Sequence, residues 1–133
     1  METSVPVSAF VEEVSFNLGA GASRNSLTID TRDWFGSTQS DFGDNRQFGF
    51  PLLDGVLLAP GNASIVLQYA VPTFPIAEPP ALTFSTFSTI AAAAGAWTPF
   101  SIRITARFAR LQILDTSGGA NNGIYLVAFL RGA

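Results

Sequence analysis

The sequence has 133 residues, of which 47% are hydrophobic and only 13% charged, with a formal net charge of -3. It contains no cysteine and no histidine, and all seven basic residues are arginine. Those absences exclude disulfide frameworks, thiolate zinc sites, cysteine nucleophiles, histidine general bases, lysine Schiff bases and Walker-type phosphate binding through lysine. No catalytic residue, cofactor site or metal site is therefore expected. A negative net charge without clustered basic residues argues against a nucleic-acid partner. No run approaches the roughly twenty apolar residues needed to cross a bilayer, so no membrane partner is expected either. The length suits one domain, residues 1–133, with a core of its own.

Residues 1–26 are sparsely patterned, and Met1-Glu2-Thr3-Ser4 shows no feature of a signal peptide. The segment reads either as an N-terminal arm reaching a neighbour or as an ordinary first strand and loop. Val11 to Leu18, within it, and Leu27-Thr28-Ile29, just after it, are weaker strand candidates. Six of the ten acids (Glu12, Glu13, Asp30, Asp33, Asp41 and Asp44) fall between Glu12 and Asp44. Val56-Leu57-Leu58, the turn Pro60-Gly61-Asn62 and the apolar run Ser64–Val71 together read as a hairpin over 55–71. Pro72–Pro80 cannot hold a central strand or a helix and reads as an extended connector or sheet edge. Leu82-Thr83-Phe84 begins a further strand that Phe87 extends. Ile90–Ala94 has helical propensity, but Gly95 follows it, and it reads as one turn or a loop.

The clearest element is Ser101–Phe108, where Ile102, Ile104, Ala106 and Phe108 alternate with Ser101, Arg103, Thr105 and Arg107. The apolar phase then slips to Leu111 and Ile113, which suggests a β-bulge near Ala109-Arg110 or burial on both faces. A turn-rich stretch from Asp115 to Gly123 leads into Ile124–Leu130, a strand expected to be buried on both faces. The two runs read as a hairpin. Short strands at spacings near ten residues mark a sandwich or barrel, and the expected fold is an all-β, jelly-roll-like antiparallel β-sandwich with an extended N-terminal region.

The cluster Asp41-Phe42-Gly43-Asp44-Asn45, with Asp30 and Asp33, offers oxygen ligands for Ca²⁺, but it departs from EF-hand spacing and reads more simply as a turn. Glu12/Glu13 and Asp41/Asp44 are nominal carboxylate pairs for a glycosidase, though neighbours on a strand point to opposite faces. Trp34 and Trp97, in turn-like contexts, are the aromatics most expected at the surface, where they would stack on sugar rings or fill an interface. Arg103, Arg107 and Arg110, with Arg131 brought close by the hairpin, form an arginine-rich region suited to pairing with carboxylates of another segment or subunit. The bland alternative is a solvated strand face.

The segment Trp97–Ile113 resembles a pattern in β-sandwich proteins of tailed-bacteriophage particles. In these an apolar strand carrying Ala106-Arg107-Phe108-Ala109-Arg110-Leu111 is followed by a Gly/Asn turn and a last strand ending, as here, in Leu130-Arg131. The resemblance covers roughly the last forty residues and carries over no functional residue. It implies a virion accessory protein: a capsid decoration (cement) protein, or a tail or neck component, located in the virion. The partners expected on that basis are the major capsid protein or another virion protein. A homo-oligomer is also expected, with a trimer favoured by the resemblance, because lysine-free edges and an apolar surplus need partners. The alternative is a carbohydrate-binding β-sandwich module.

Overall fold

A computed structural model describes residues 11–31, 51–72 and 82–131. Among these residues the chain forms nine strands: β1 (Val11–Leu18), β2 (Ser23–Asn25), β3 (Ile29–Asp30), β4 (Leu52–Leu58), β5 (Ala63–Pro72), β6 (Leu82–Ala92), β7 (Trp97–Arg103), β8 (Phe108–Asp115) and β9 (Asn121–Arg131). They make two antiparallel sheets. The first runs β1-β9-β4-β7, and the second β2-β8-β5-β6 with β3 beside β8. The expected all-β sandwich is what the chain forms.

Period-two patterning decides which side chains face inward. Leu53 and Leu57 of β4, Ile124, Leu126 and Ala128 of β9, and Phe100 of β7 meet Ile65 and Leu67 of β5 and Leu111 and Ile113 of β8 in one core. Burying each of the larger side chains contributes about 1.5–3 kcal/mol. Gly55 also faces inward, opposite Phe100 on β7 and Ala128 on β9. A Cβ there would lie 2.4 Å from the Phe100 ring and 2.4 Å from the Val127 carbonyl oxygen. The Phe100 ring thus occupies the space that any larger residue at position 55 would need.

The pairing corrects both expected hairpins. β4 pairs with β7 and β9, whereas β5 pairs with β6 and β8, so residues 55–71 arch from one sheet to the other. The clear alternation at 101–108 is also interrupted. β7 ends at Arg103, the chain crosses through residues 104–107, and β8 enters the second sheet. β9 then returns to the first sheet, so 108–115 and 121–131 form an arch as well. The phase slip after Phe108 is this change of sheet, not a bulge at Ala109-Arg110. The bulges lie in β9, where Asn122 and Gly123 face Asn17 of β1, and at Phe87 in β6. Residues 90–92 finish β6 rather than forming a turn, and the bend follows at 93–96. β9 is buried on its inner face only, since Phe129 is exposed. β5 and β6 are consecutive and do pair, while most of the Pro-rich stretch, 73–81, lies outside the described residues. Of the segment considered as an arm, 11–18 and 23–25 run in the sheets, and 1–10 lie outside the described residues.

One end of the sandwich is tied by a polar network. Asp115, only 3% exposed, accepts hydrogen bonds from the Gly21 N–H (2.9 Å), the Ser117 N–H (3.1 Å) and hydroxyl (2.6 Å), and the Asn121 amide (3.1 Å). Asn121 also accepts from the Gly61 N–H at 2.9 Å, and Asn62 Oδ1 accepts from the Ala94 N–H at 2.9 Å. The four connections β1–β2, β4–β5, β6–β7 and β8–β9 are thereby held together. The Ser117 hydroxyl and the Gly21 N–H, followed by the Ser117 N–H and Asn121, favour the charged form and outweigh burial, so the Asp115 pKa lies well below the carboxylate range. At the other end the Thr105 N–H donates to the Tyr69 hydroxyl (2.8 Å), which donates to the Arg103 carbonyl (3.2 Å). These bonds fix the β7–β8 crossing against β5.

Candidate assembly surface

With Leu53, Gly55 and Leu57 turned to the core, the alternate residues of β4 face out, and register aligns them in rows across the first sheet. Arg103, Leu52 and Arg131 form one row. Next come Ser101, Asp54 and Phe129, then Pro99, Val56, Val127 and Glu13, then Trp97, Leu58, Tyr125 and Ser15. The centre of this face is apolar. Trp97 is 56% exposed and Phe129 39%, while Val56, Leu58 and Val127 are half-buried by their neighbours. Pro99 lacks an N–H, which is tolerated because β7 is an edge strand.

Polar pairs frame the apolar centre. The Ser101 hydroxyl donates to Asp54 Oδ1 at 2.6 Å, and the Arg131 Nε pairs with Asp54 Oδ2. Burial would raise the Asp54 pKa, but the bonds from Ser101 and Arg131 and the Arg131 charge together bring it below its ordinary value. On the other side the Tyr125 hydroxyl donates to Glu13 Oε2 at 2.8 Å. That bond, with burial and the Glu13 charge, raises the Tyr125 pKa. Tyr125 meets Trp97 edge to face, with ring centroids 6.0 Å apart at 89°. The pair offers a rigid aromatic corner rather than two coplanar rings.

The arginines do not form one cluster. Arg103 and Arg131 flank Leu52 on the outer face of the first sheet. Arg107 lies in the crossing between β7 and β8 and pairs with Asp30 through Nε and a terminal nitrogen, both at 3.2 Å. Its guanidinium also sits 4.4 Å from the Phe108 ring centroid. Arg110 is on the outer face of the second sheet, bonded to Gln68 at 2.7 Å and lying 4.1 Å over the Phe84 ring. One continuous run grouped Arg103, Arg107 and Arg110, and the hairpin brought in Arg131; the crossing from sheet to sheet instead parts Arg107 and Arg110 from Arg103 and Arg131. Among the described residues, Arg107 and Arg131 meet carboxylates of another segment.

Trp97 is at the surface as expected, and Trp34 lies outside the described residues. Glu12 and Glu13 point to opposite faces: Glu12 turns inward to Arg24 (2.6 Å), Glu13 outward to Tyr125. Asp33, Asp41 and Asp44 lie outside the described residues, and Asp30 is engaged by Arg107. Among the described residues no group of three or more acidic side chains is placed to hold a metal ion. Phe129 was not anticipated in this surface. The strand's nearly unbroken apolar composition concealed which side chains face out, and only pairing assigns them.

No protein family and no curated protein matches the sequence. Among solved structures the fold is similar to that of PBSX exported protein XepA, with a TM-score of 0.63 at 14% identity. The match covers 96% of this chain and 40% of XepA, so the chain spans about two fifths of that protein's length.

Proposed function

We propose that this protein is a non-enzymatic structural protein of a phage particle, a capsid decoration protein that docks on another virion protein through the outer face of the first sheet. The observation that carries this reading is the exposed row structure of Trp97, Pro99, Val56, Val127 and Phe129, framed by Asp54–Arg131 and Glu13–Tyr125. Rigid aromatics amid apolar side chains with a polar rim are the anatomy of a protein interface. Two circumstances support the particle context. The strand order β1-β9-β4-β7 over β2-β8-β5-β6, in which most connections change sheet, supports reading the sandwich as a jelly roll, an architecture frequent in capsid domains. The fold is also shared with an exported protein of phage PBSX.

Co-sedimentation of purified protein with phage capsids stripped of accessory proteins tests the proposal. Wild type is expected to pellet with the capsids, and the double variant Trp97→Ala/Phe129→Ser to remain in the supernatant with an unchanged melting curve. Wild-type protein that stays in the supernatant, or a double variant that pellets equally, overturns it.

The exposed Trp97 indole also favours a second reading as a carbohydrate-binding module. The edge-to-face Tyr125 limits stacking to one ring. A glycan array on which Trp97→Ala removes specific binding would establish that reading in place of the first.

A further inference from the structure

The four edges of the sandwich differ in how they are protected from strand pairing. β1 carries Glu12 and Glu13. β7 carries Pro99 and Arg103. The β2 edge is three residues long and is followed by the two-residue β3. β6 has none of these devices. Its eleven residues, LTFSTFSTIAA, contain no charge and no proline, and among the described residues it pairs on one side only, with β5. Thr83, Ser85, Thr86, Phe87, Thr89 and Ala91 along it are exposed. A long uncharged edge of β-branched and hydroxyl residues is a ready template for another strand.

Phe87 is the central residue of the eleven, and it is the bulged residue, left unpaired between Thr86 and Ser88 in the ladder to β5. One face of its ring stacks on Tyr69, with centroids 4.2 Å apart at 19°, yet the residue remains 55% exposed. Tyr69 is itself fixed by hydrogen bonds to the β7–β8 crossing, so Phe87 rests on a rigid support.

We infer that β6 is a self-pairing edge at which a second copy of this chain adds its own β6, antiparallel, across a two-fold axis through Phe87. The pairing is self-complementary. The axis places residues 82–86 of one copy against 88–92 of the other, and the bend introduced by the bulge falls on the axis, where it interrupts neither half-ladder. The open faces of the two Phe87 rings meet there, each backed by its Tyr69. No charges are brought together, since neither strand carries any. A three-fold arrangement would instead need two different edges to meet head to tail, and the others carry carboxylates, proline or too few residues. The assembly expected is therefore a dimer with one sheet continuous across both copies. It uses a surface distinct from the apolar outer face of the first sheet, so it stands or falls separately from the docking proposed above.

Sedimentation equilibrium on the full chain at tens of micromolar is expected to give about twice the chain mass of 14.1 kDa. Phe87→Lys should weaken the dimer at least ~30-fold, the size of a central interface residue, with no loss of melting temperature beyond that due to dissociation. Trp97→Lys, on the other sheet's edge, should leave the dimer intact. Because the chain has no cysteine, Phe87→Cys supplies a second readout: it should form an interchain disulfide under mild oxidation, and Trp97→Cys should not. A monomeric wild type, a dimer unaffected by Phe87→Lys, or equal crosslinking at positions 87 and 97 overturns the inference.

Discussion

The outer faces of the two sheets use similar residues to opposite effect. On the second sheet Phe108 faces out and is nevertheless 4% exposed, with the Arg107 guanidinium over its ring. Phe84 beside it lies under Arg110, which Gln68 holds in place. Around these rings that face mixes Val66, Ala70 and Leu114, none of them exposed, with amides and hydroxyls such as Gln112, which is bonded to Asn25. On the first sheet the arginine whose partner lies on that face is spent on a carboxylate, Arg131 on Asp54, and Phe129 and Trp97 stand uncovered. Arginine stems and planar heads can shield aromatic rings or bridge anions, and the neighbour decides which. The acid at position 54, at the edge of the apolar centre, therefore leaves Phe129 and Trp97 uncovered.

The largest expected effect breaks the first sheet from inside. Gly55→Val would press a side chain into the Phe100 ring and the Val127 carbonyl, and the backbone oxygen cannot swing away. Destabilisation of about 3 kcal/mol or more is expected, a fall in melting temperature of about 10 °C or more. Gly19→Val, where nothing lies within 4 Å of the added Cβ, is the control and should leave the melt unchanged. If both behave alike, the close packing of Phe100 on Gly55 does not support the face above it.

The second effect tests what holds both faces in place at the network end. Asp115 has its pKa depressed in the folded state, so between the folded and unfolded values the native chain binds fewer protons than the unfolded one. Its contribution to stability is present above the ordinary carboxylate value of about 3.9 and is lost as pH falls through the folded value. Wild-type melting temperature should therefore drop steeply below about pH 4. Asp115→Asn should melt lower at neutral pH and show a shallower acid limb, because the substituted amide has no charge to lose. Parallel acid limbs for the two proteins would remove Asp115 from this role.

How much of this was legible in the sequence follows from which signals are local. Strand positions were: Ile65 to Val71, Ile102 and Ile124 to Leu130 announce themselves by composition and alternation. Sheet membership was not. A short turn-rich loop, such as residues 59–62 or 116–120, can reverse a chain within one sheet or carry it about 10 Å to the facing one, and Gly, Asn and Ser serve both. The slip at Phe108 held the information, since alternation restarting after residues 104–107, which lie between strands, marks a new strand in a new sheet. The arginine grouping failed for the same reason, while the exposure of Trp97 was read correctly because it begins a strand beside a bend. Gly55 gave no sign of its role, which depends on a residue 45 positions away that only register brings opposite.

The smallest effect sharpens the contrast between the faces by asking whether Arg110 is a cover or a contact. If its function lies within the chain, replacing it with methionine keeps an apolar stem over Phe84 and loses only the bond to Gln68 and the attraction of the charge for the ring. Those two terms on a partly exposed site amount to about 1 kcal/mol. Arg110→Ala removes the stem as well, exposes the Phe84 ring, and should cost about 1 kcal/mol more. The series is read by chemical denaturation, with binding of an apolar dye reporting the uncovered ring, and the expected order is wild type, then methionine, then alanine. An interface arginine would behave otherwise. Both substitutions would then leave the stability of the isolated chain unaltered and weaken its binding to capsids by similar amounts. That result would reassign the second face from a shielded surface to a docking one, and the difference between the two sheets would no longer predict which of them meets a partner.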